Sequence, residues 1–185
     1  RLNKDDVFIC INSGYKYIED GIKKEVALII TEKNNIYNTD IPIIVVDDTI
    51  KVLGIIAKYI RSKYNGKVIA ITGSNGKTTT KELLCHVLDT KYKVLKSIGS
   101  LNNHIGVPST ILELDNSYDY LVLEFGTNHP GEIKYLNDIA KPDIGIITNI
   151  GMSHIGNFGS LENIYNEKIS IVDDNKLLFV NGEDK

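Results

Sequence analysis

The sequence predicts an α/β protein in two parts: a small amino-terminal α/β domain over 1–65, then a parallel sheet flanked by helices over 66–185. Short β-branched runs alternate with longer stretches of helical period. The runs in the second part are continuously apolar, as strands buried on both faces require. Asn65-Gly66 separates the two arrays, and is read as the αL end of a helix.

In the first part, 7–11, 26–30 and 43–46 are apolar, β-branched and bounded by turn residues, so they read as strands. A short helix fits 17–24. Thr49 is a fitting N-cap for a helix over 50–64, where Val52, Leu53, Ile56, Ala57 and Ile60 form one apolar stripe. In the second part, 68–71 is a strand, 72–77 a glycine-bearing loop and 78–88 a helix. Further strands are expected at 94–95, 120–125, 144–148 and 177–180, with helices over 131–140 and 161–172. Pro142 ends the first of those helices.

The junction VIAITGSNGKTTTKELL carries the clearest chemistry. A strand enters a loop holding Gly73 and Gly76, then Lys77, Thr78, Thr79 and a helix. Glycines let backbone N–H groups turn inward around phosphate oxygens, and the helix N-terminus adds partial positive charge. Lys77 would reach the outer phosphates, and the Thr78 hydroxyl would bind Mg²⁺. The residues 72–80 therefore read as a nucleotide-phosphate loop, with Thr72, Gly73, Ser74, Asn75, Gly76, Lys77, Thr78 and Thr79 as its contacts. It departs from G-x-x-x-x-G-K-[ST], because Ile71 stands where the first glycine belongs. The second part is thus a phosphate-loop NTPase-like sheet, and the chain reads as part of an ATP-dependent enzyme.

Glu124 closes the apolar strand at 120–125, at the sheet edge where parallel α/β folds bind ligands. Facing a phosphate loop, its carboxylate would supply a hard oxygen to Mg²⁺. The run Asn102-Asn103-His104-Ile105-Gly106-Val107-Pro108 is too polar at its start and too constrained at its end for a simple linker. Asn128 is a natural cap for the next helix. His154 follows a strand end, where a histidine could contact metal or phosphate. Lys168 lies mid-helix, where a lysine taken by itself is ordinarily solvated.

Bulk properties narrow the classes. A 42% hydrophobic, 24% charged chain is an ordinary soluble type, and a net charge of −3 gives no basic surface for nucleic acid. No apolar stretch is long enough to insert in a membrane. Cys10 and Cys85 lack any paired spacing and suggest inert thiols in a reducing, cytoplasmic setting. No G-x-S-x-G nucleophile is present, and the loop is the wrong length for a generic phosphate-loop kinase or GTPase.

Together these residues resemble the Mur ligase family of ATP-dependent amide-forming enzymes of cell-wall precursor synthesis. TGSNGKTTT is similar to that family's shortened phosphate loop, and LNNHIGVPSTIL, LEFGTNHPGEI and PDIGIITNIGMSHIGNFGSLENI resemble its later signatures, in order. IPIIVVDDTIKVLGIIAKYIR resembles the end of a UDP-sugar-binding domain. The resemblance implies ATP and Mg²⁺, a UDP-N-acetylmuramoyl peptide as the carboxylate substrate and D-alanyl-D-alanine as the amine. It implies Lys77, Asn102, Asn103, His154 and Lys168 as catalytic residues. Thr78, Glu124, His154 and Lys168 would be metal ligands, Lys168 after carbamylation. His104 stands where an acidic residue is usual, which keeps open a paralogue joining another amino acid or peptide. A nucleotide-binding module without ligase chemistry is the other alternative. Family members are much longer, and Arg1 and Lys185 both look like cut ends, so the resemblance implies an incomplete central domain, inactive by itself.

Overall fold

The computed structural model describes residues 2–153, 155–173 and 176–183. It divides into two compact units, Arg1–Leu53 and Gly54–Lys185. That division falls inside a helix, earlier than the Asn65-Gly66 boundary read from sequence.

The first unit holds β1 (Val7–Ile9), a 3₁₀ turn (Asn12–Tyr17), α1 (Ile18–Lys23), β2 (Leu28–Thr31), β3 (Ile43–Val45) and the start of α2 (Thr49–Lys63). The strands pair in parallel in the order β1-β2-β3. Cys10, Ile18, Val26 and Ile29 form its core, with Phe8, Ile22 and Ile43 packed against them. Thr49 is not the cap of α2. The Asp48 carboxylate accepts from the Ile50 and Lys51 N–H groups, both at 2.9 Å, while the Thr49 hydroxyl donates to Glu32 at 2.8 Å. A full negative charge beats a hydroxyl at a helix N-terminus, which frees Thr49 for its long-range partner.

The second unit contains β4 (Lys67–Thr72), α3 (Lys77–Leu88), β5 (Val94–Lys96), α4 (Gly106–Leu112), β6 (Tyr120–Glu124), α5 (Glu132–Ala140), β7 (Ile144–Ile147), α6 (Ile155–Phe158), α7 (Leu161–Ile169) and β8 (Leu177–Val180). Among the described residues its sheet is five-stranded, all parallel, ordered β5-β6-β4-β7-β8. Period-2 alternation splits each strand between two cores. Val68, Ala70, Leu121, Leu123 and Phe125 face α2, α4 and α5 through Ala57, Val107, Ile111, Ile133 and Leu136. Ile69, Ile71 and Val122 face α3 through Leu84, Cys85 and Leu88. Both cysteines are free and buried, and burial pushes the Cys85 thiol up to about 11.

Two expectations are corrected here, and one helix is added. Helix α4 occupies a stretch to which the sequence assigns no element. Pro108 is its third residue, where the missing N–H would have had no helical partner. Helix α7 stops at Ile169 rather than running to 172. The Ser170 hydroxyl turns back onto the Glu167 carbonyl at 2.6 Å, and fully buried Ile171 drops into the core. Gly66 does not adopt an αL conformation. It is a glycine because a Cβ would overlap the Tyr64 hydroxyl and lie 2.6 Å from the Asp119 carbonyl.

Candidate active site

Strand β4 leads through α3 to β5, past β6 on one side, while β6 leads through α5 to β7, on the other. Connections leaving two neighbouring strands in opposite directions open a crevice at their carboxyl ends. The phosphate loop lies there after β4, and pairing of Ile71 with Glu124 brings Glu124 to the same level on β6.

The loop's backbone needs its glycines. Gly76 has φ +78° and opens α3 in a left-handed conformation. At Gly73, with φ +150°, a Cβ would overlap the Thr148 hydroxyl. The segment after β7 pins the loop from below. Ser74 N–H donates to the Asn149 carbonyl and Asn75 N–H to the Asn149 side-chain oxygen, both at 3.0 Å. Thr148 donates its hydroxyl to the Asn75 carbonyl at 2.6 Å, and the Ser74 hydroxyl exchanges hydrogen bonds with the Gly151 backbone. Ser74 and Asn75 thus spend these backbone donors on the loop's own scaffold. Thr72 is buried, its hydroxyl on the Phe125 carbonyl at 2.9 Å. Lys77 bends over the loop, its Nζ 2.8 Å from the Gly73 carbonyl and 3.4 Å from that of Ser74. Thr79 lies in the first turn of α3, whose leading N–H groups have no partner within the helix.

Glu124 is the centre of the constellation. It is only 1% exposed, and among the described residues each carboxylate oxygen has one partner. The Thr78 hydroxyl donates to Oε2 at 2.7 Å and the Asn102 amide to Oε1 at 2.8 Å. Beside it opens a cleft of about 490 Å³ lined by Lys77, Asn102, Asn103, His104, Gly126, Thr127, Asn128, Pro130, Gly131, Glu132, Tyr135 and Leu136. The two adjacent asparagines do different things. Asn102 holds Glu124. The Asn103 side-chain oxygen accepts from the Ile105 and Gly106 N–H groups at the start of α4, at 3.1 and 2.9 Å.

Asn128 does not cap α5. Its own N–H donates to Glu132 at 2.6 Å. The cap comes from α7, where the Glu167 carboxylate accepts from Gly131 N–H at 2.6 Å, Ile133 N–H at 2.8 Å and the Thr127 hydroxyl at 3.2 Å. The neighbouring Lys168 is buried, 4% exposed, against the solvated side chain that its mid-helix position alone suggests. Burial, and then the charge of Lys77, push its amine down to about 8, with Glu167 opposing. His154 lies outside the described residues, and among the described residues no group of three or more His, Cys, Asp or Glu side chains could hold a metal. The residues that sequence reading missed are Thr148, Asn149, Glu167 and Lys81. Thr148 and Asn149 were detectable from their place just past a strand's carboxyl end. Nothing local marks the other two.

Residues 71–185 match the Mur ligase middle domain. The chain belongs to the Mur ligase family. Along 99% of its length it is 36% identical to the UDP-N-acetylmuramoyl-tripeptide–D-alanyl-D-alanine ligase of Bacillus subtilis, covering 42% of that protein. The MurF ligase of Thermotoga maritima, solved in complex with ADP, superposes on the whole chain with a TM-score of 0.90 at 31% identity, over 44% of its own length. MurF from Acinetobacter baumannii gives 0.88 at 34% identity, over 99% of this chain and 42% of that one. This Mur ligase chain therefore spans less than half the length of these relatives. No helix among the described residues is long and apolar enough to cross a membrane.

Proposed function

We propose that this Mur ligase chain carries the phosphoryl-transfer part of an ATP-dependent ligase that joins D-alanyl-D-alanine to a UDP-N-acetylmuramoyl tripeptide. The observation that carries the reading is the buried Glu124 carboxylate, bridged by Thr78 and Asn102 at the mouth of the phosphate loop. The amino-terminal residues, 1–65 by sequence, would bind the UDP-sugar, and 66–185 the nucleotide.

A substrate carboxylate oxygen attacks the γ-phosphorus of ATP, the bond to the β-phosphate oxygen breaks, and ADP and an acyl phosphate result. The amine of the dipeptide then attacks the acyl carbon, loses a proton and expels inorganic phosphate. Lys77 offers its ammonium to the transferred phosphoryl group, and the first N–H groups of α3 stabilise its charge without reorganising. Asn102 keeps Glu124 facing the loop. Thr78 and Glu124 are hard oxygen donors and fit Mg²⁺, which when bound would neutralise charge on the phosphates. Lys168 fits only as a carbamate. Its lowered basicity leaves more neutral amine to react with CO₂, and the product presents a carboxylate in place of a cation. His154 completes the proposed ligand set.

His104 lines the cleft and favours a second reading, a paralogue with another amine or peptide substrate. The test is phosphate release by the longest natural polypeptide carrying this sequence, given UDP-N-acetylmuramoyl tripeptide, ATP and Mg²⁺, with and without D-alanyl-D-alanine. Dipeptide-dependent release is expected. Release only with a different amine would move the protein to the paralogue, and unchanged release in Glu124→Gln would remove the role given to Glu124.

A further inference from the structure

We infer that Lys81 is a positioning residue of the phosphoryl-transfer site, a buried cation that ties α3 to the loop presenting Asn102. The inference rests on the function proposed above. Lys81 is 0% exposed and is among the largest fully buried side chains of the described residues. It follows Thr78 by three positions on α3, so the two share a face of the helix. Its Nζ donates to the Ser97 carbonyl at 2.6 Å and the Gly99 carbonyl at 2.8 Å, and Glu82 Oε1 lies 3.2 Å away.

Those carbonyls belong to the segment that leaves β5 and turns through Gly99, φ +55°, toward Asn102. Ser97 is itself fully buried, and its hydroxyl accepts from Glu124 N–H at 3.2 Å. Asn102 N–H is fixed on the Ser100 carbonyl at 2.8 Å, and its own carbonyl accepts from Gly126 N–H at 2.8 Å. A Cβ on Gly126 would come within 2.7 Å of the Asn102 carboxamide, so that side chain has little room to move.

Helix α3 therefore reaches Glu124 by two routes. One is direct, through Thr78 to Oε2. The other runs from Lys81 through Ser97–Gly99 to Asn102 and Oε1. A methionine would fill the same volume without burying a charge, which is ordinarily the cheaper choice. What lysine adds is the pair of charge-assisted bonds that no apolar side chain can make. Those bonds clamp a loop that has left the sheet after β5, and they set where the Asn102 amide stands relative to the phosphate loop.

The experiment is a double-mutant cycle of Lys81→Met and Asn102→Ala in the longest natural polypeptide carrying this sequence. It is read on phosphate release and, separately, on Mg²⁺-dependent ATP affinity. Lys81→Met should lower kcat by about 10- to 100-fold, as loss of a supporting contact does, and weaken Mg²⁺-dependent ATP binding severalfold. Asn102→Ala should then cost much less in the Lys81→Met background than in the wild type, because the contact is already displaced. Lys81→Arg should restore part of kcat. Independent, multiplying effects, or a lowered melting temperature with kcat unchanged, would reduce Lys81 to a core residue and overturn the inference. Should Lys81→Met fail to fold, the cycle with Lys81→Arg is read in the same way. A wild type that binds ATP but releases no phosphate would remove the ligase reading alone. Coupling, or its absence, in ATP affinity would then decide for or against Lys81.

Discussion

Helices α3 and α7 each bury a lysine, and the two settle the cost of burial differently. Lys81, on α3, finds two backbone carbonyls and a glutamate. Lys168, on α7, is held where burial and the charge of Lys77 push its amine down to about 8, against a weaker pull from Glu167. Two carbonyls and a carboxylate make the first lysine a tie. Burial beside another cation lets the second give up its proton more readily and become chemically usable. At a pH slightly above neutral, roughly one fifth of an amine with such a pKa is unprotonated, against about one part in a thousand for an ordinary lysine.

The sharpest way to break this comparison is to remove the α7 amine. Lys168→Ala should lower kcat by about 10²- to 10³-fold, the usual cost of one preorganised group at a charged transition state. Lys168→Arg should not restore it, since a guanidinium that stays protonated cannot become a carbamate. Near-wild-type turnover in Lys168→Ala would leave α7 a purely structural helix.

Stability should separate the two lysines by sign. Lys81→Met leaves the Ser97 and Gly99 carbonyls without their buried donor and should cost about 2–3 kcal/mol. Lys168→Met removes an amine that its surroundings disfavour, and should be neutral or stabilising near pH 7. Urea unfolding of both variants tests the contrast, and equal destabilisation would erase it.

The last effect is in pH. The folded pKa of Lys168, about 8, lies below its unfolded value of 10.5. Between those values the unfolded chain binds more protons at this site, so its contribution to stability rises with pH across the window. The increment is at most about 3 kcal/mol, and less to the extent that the site relaxes or admits water. Other groups titrate in the same range, so the measurement is the difference between wild type and Lys168→Met. Identical slopes would mean that the native amine is no easier to deprotonate than the unfolded one.

The proposed nucleotide end of the site could be read from the chain because its parts are contiguous. Strand, Gly73, Gly76, Lys77, Thr78 and helix follow one another, and strand, loop and helix geometry brings them together with no help from elsewhere. Glu124 was legible for a related reason: a carboxylate closing an apolar parallel strand can only stand at the ligand edge. The resemblance of four further segments to one family extended that reading to Asn102, Asn103 and Lys168. Local rules failed where a distant residue supplied the partner. Thr49 is a good cap by composition, yet Asp48 caps α2. Asn128 is a good cap for α5, yet Glu167 does it from 36 positions away. The sequence assigns no element to the stretch ending at Pro108, yet that proline is the third residue of α4.

By itself, then, the sequence determined the alternation of strands and helices, the two-part order, the phosphate loop and the acidic strand end. Each depends on neighbours within a few residues, and on periodicities that one segment carries whole. Only the tertiary structure decided that Asn102 and Thr78 grip opposite oxygens of Glu124, that Asn149 underpins the loop, and that Lys81 and Lys168 are buried in unlike surroundings. Burial and partnership are properties of what packs around a residue. The groups that pack here arrive from strands and helices that the chain order keeps far apart.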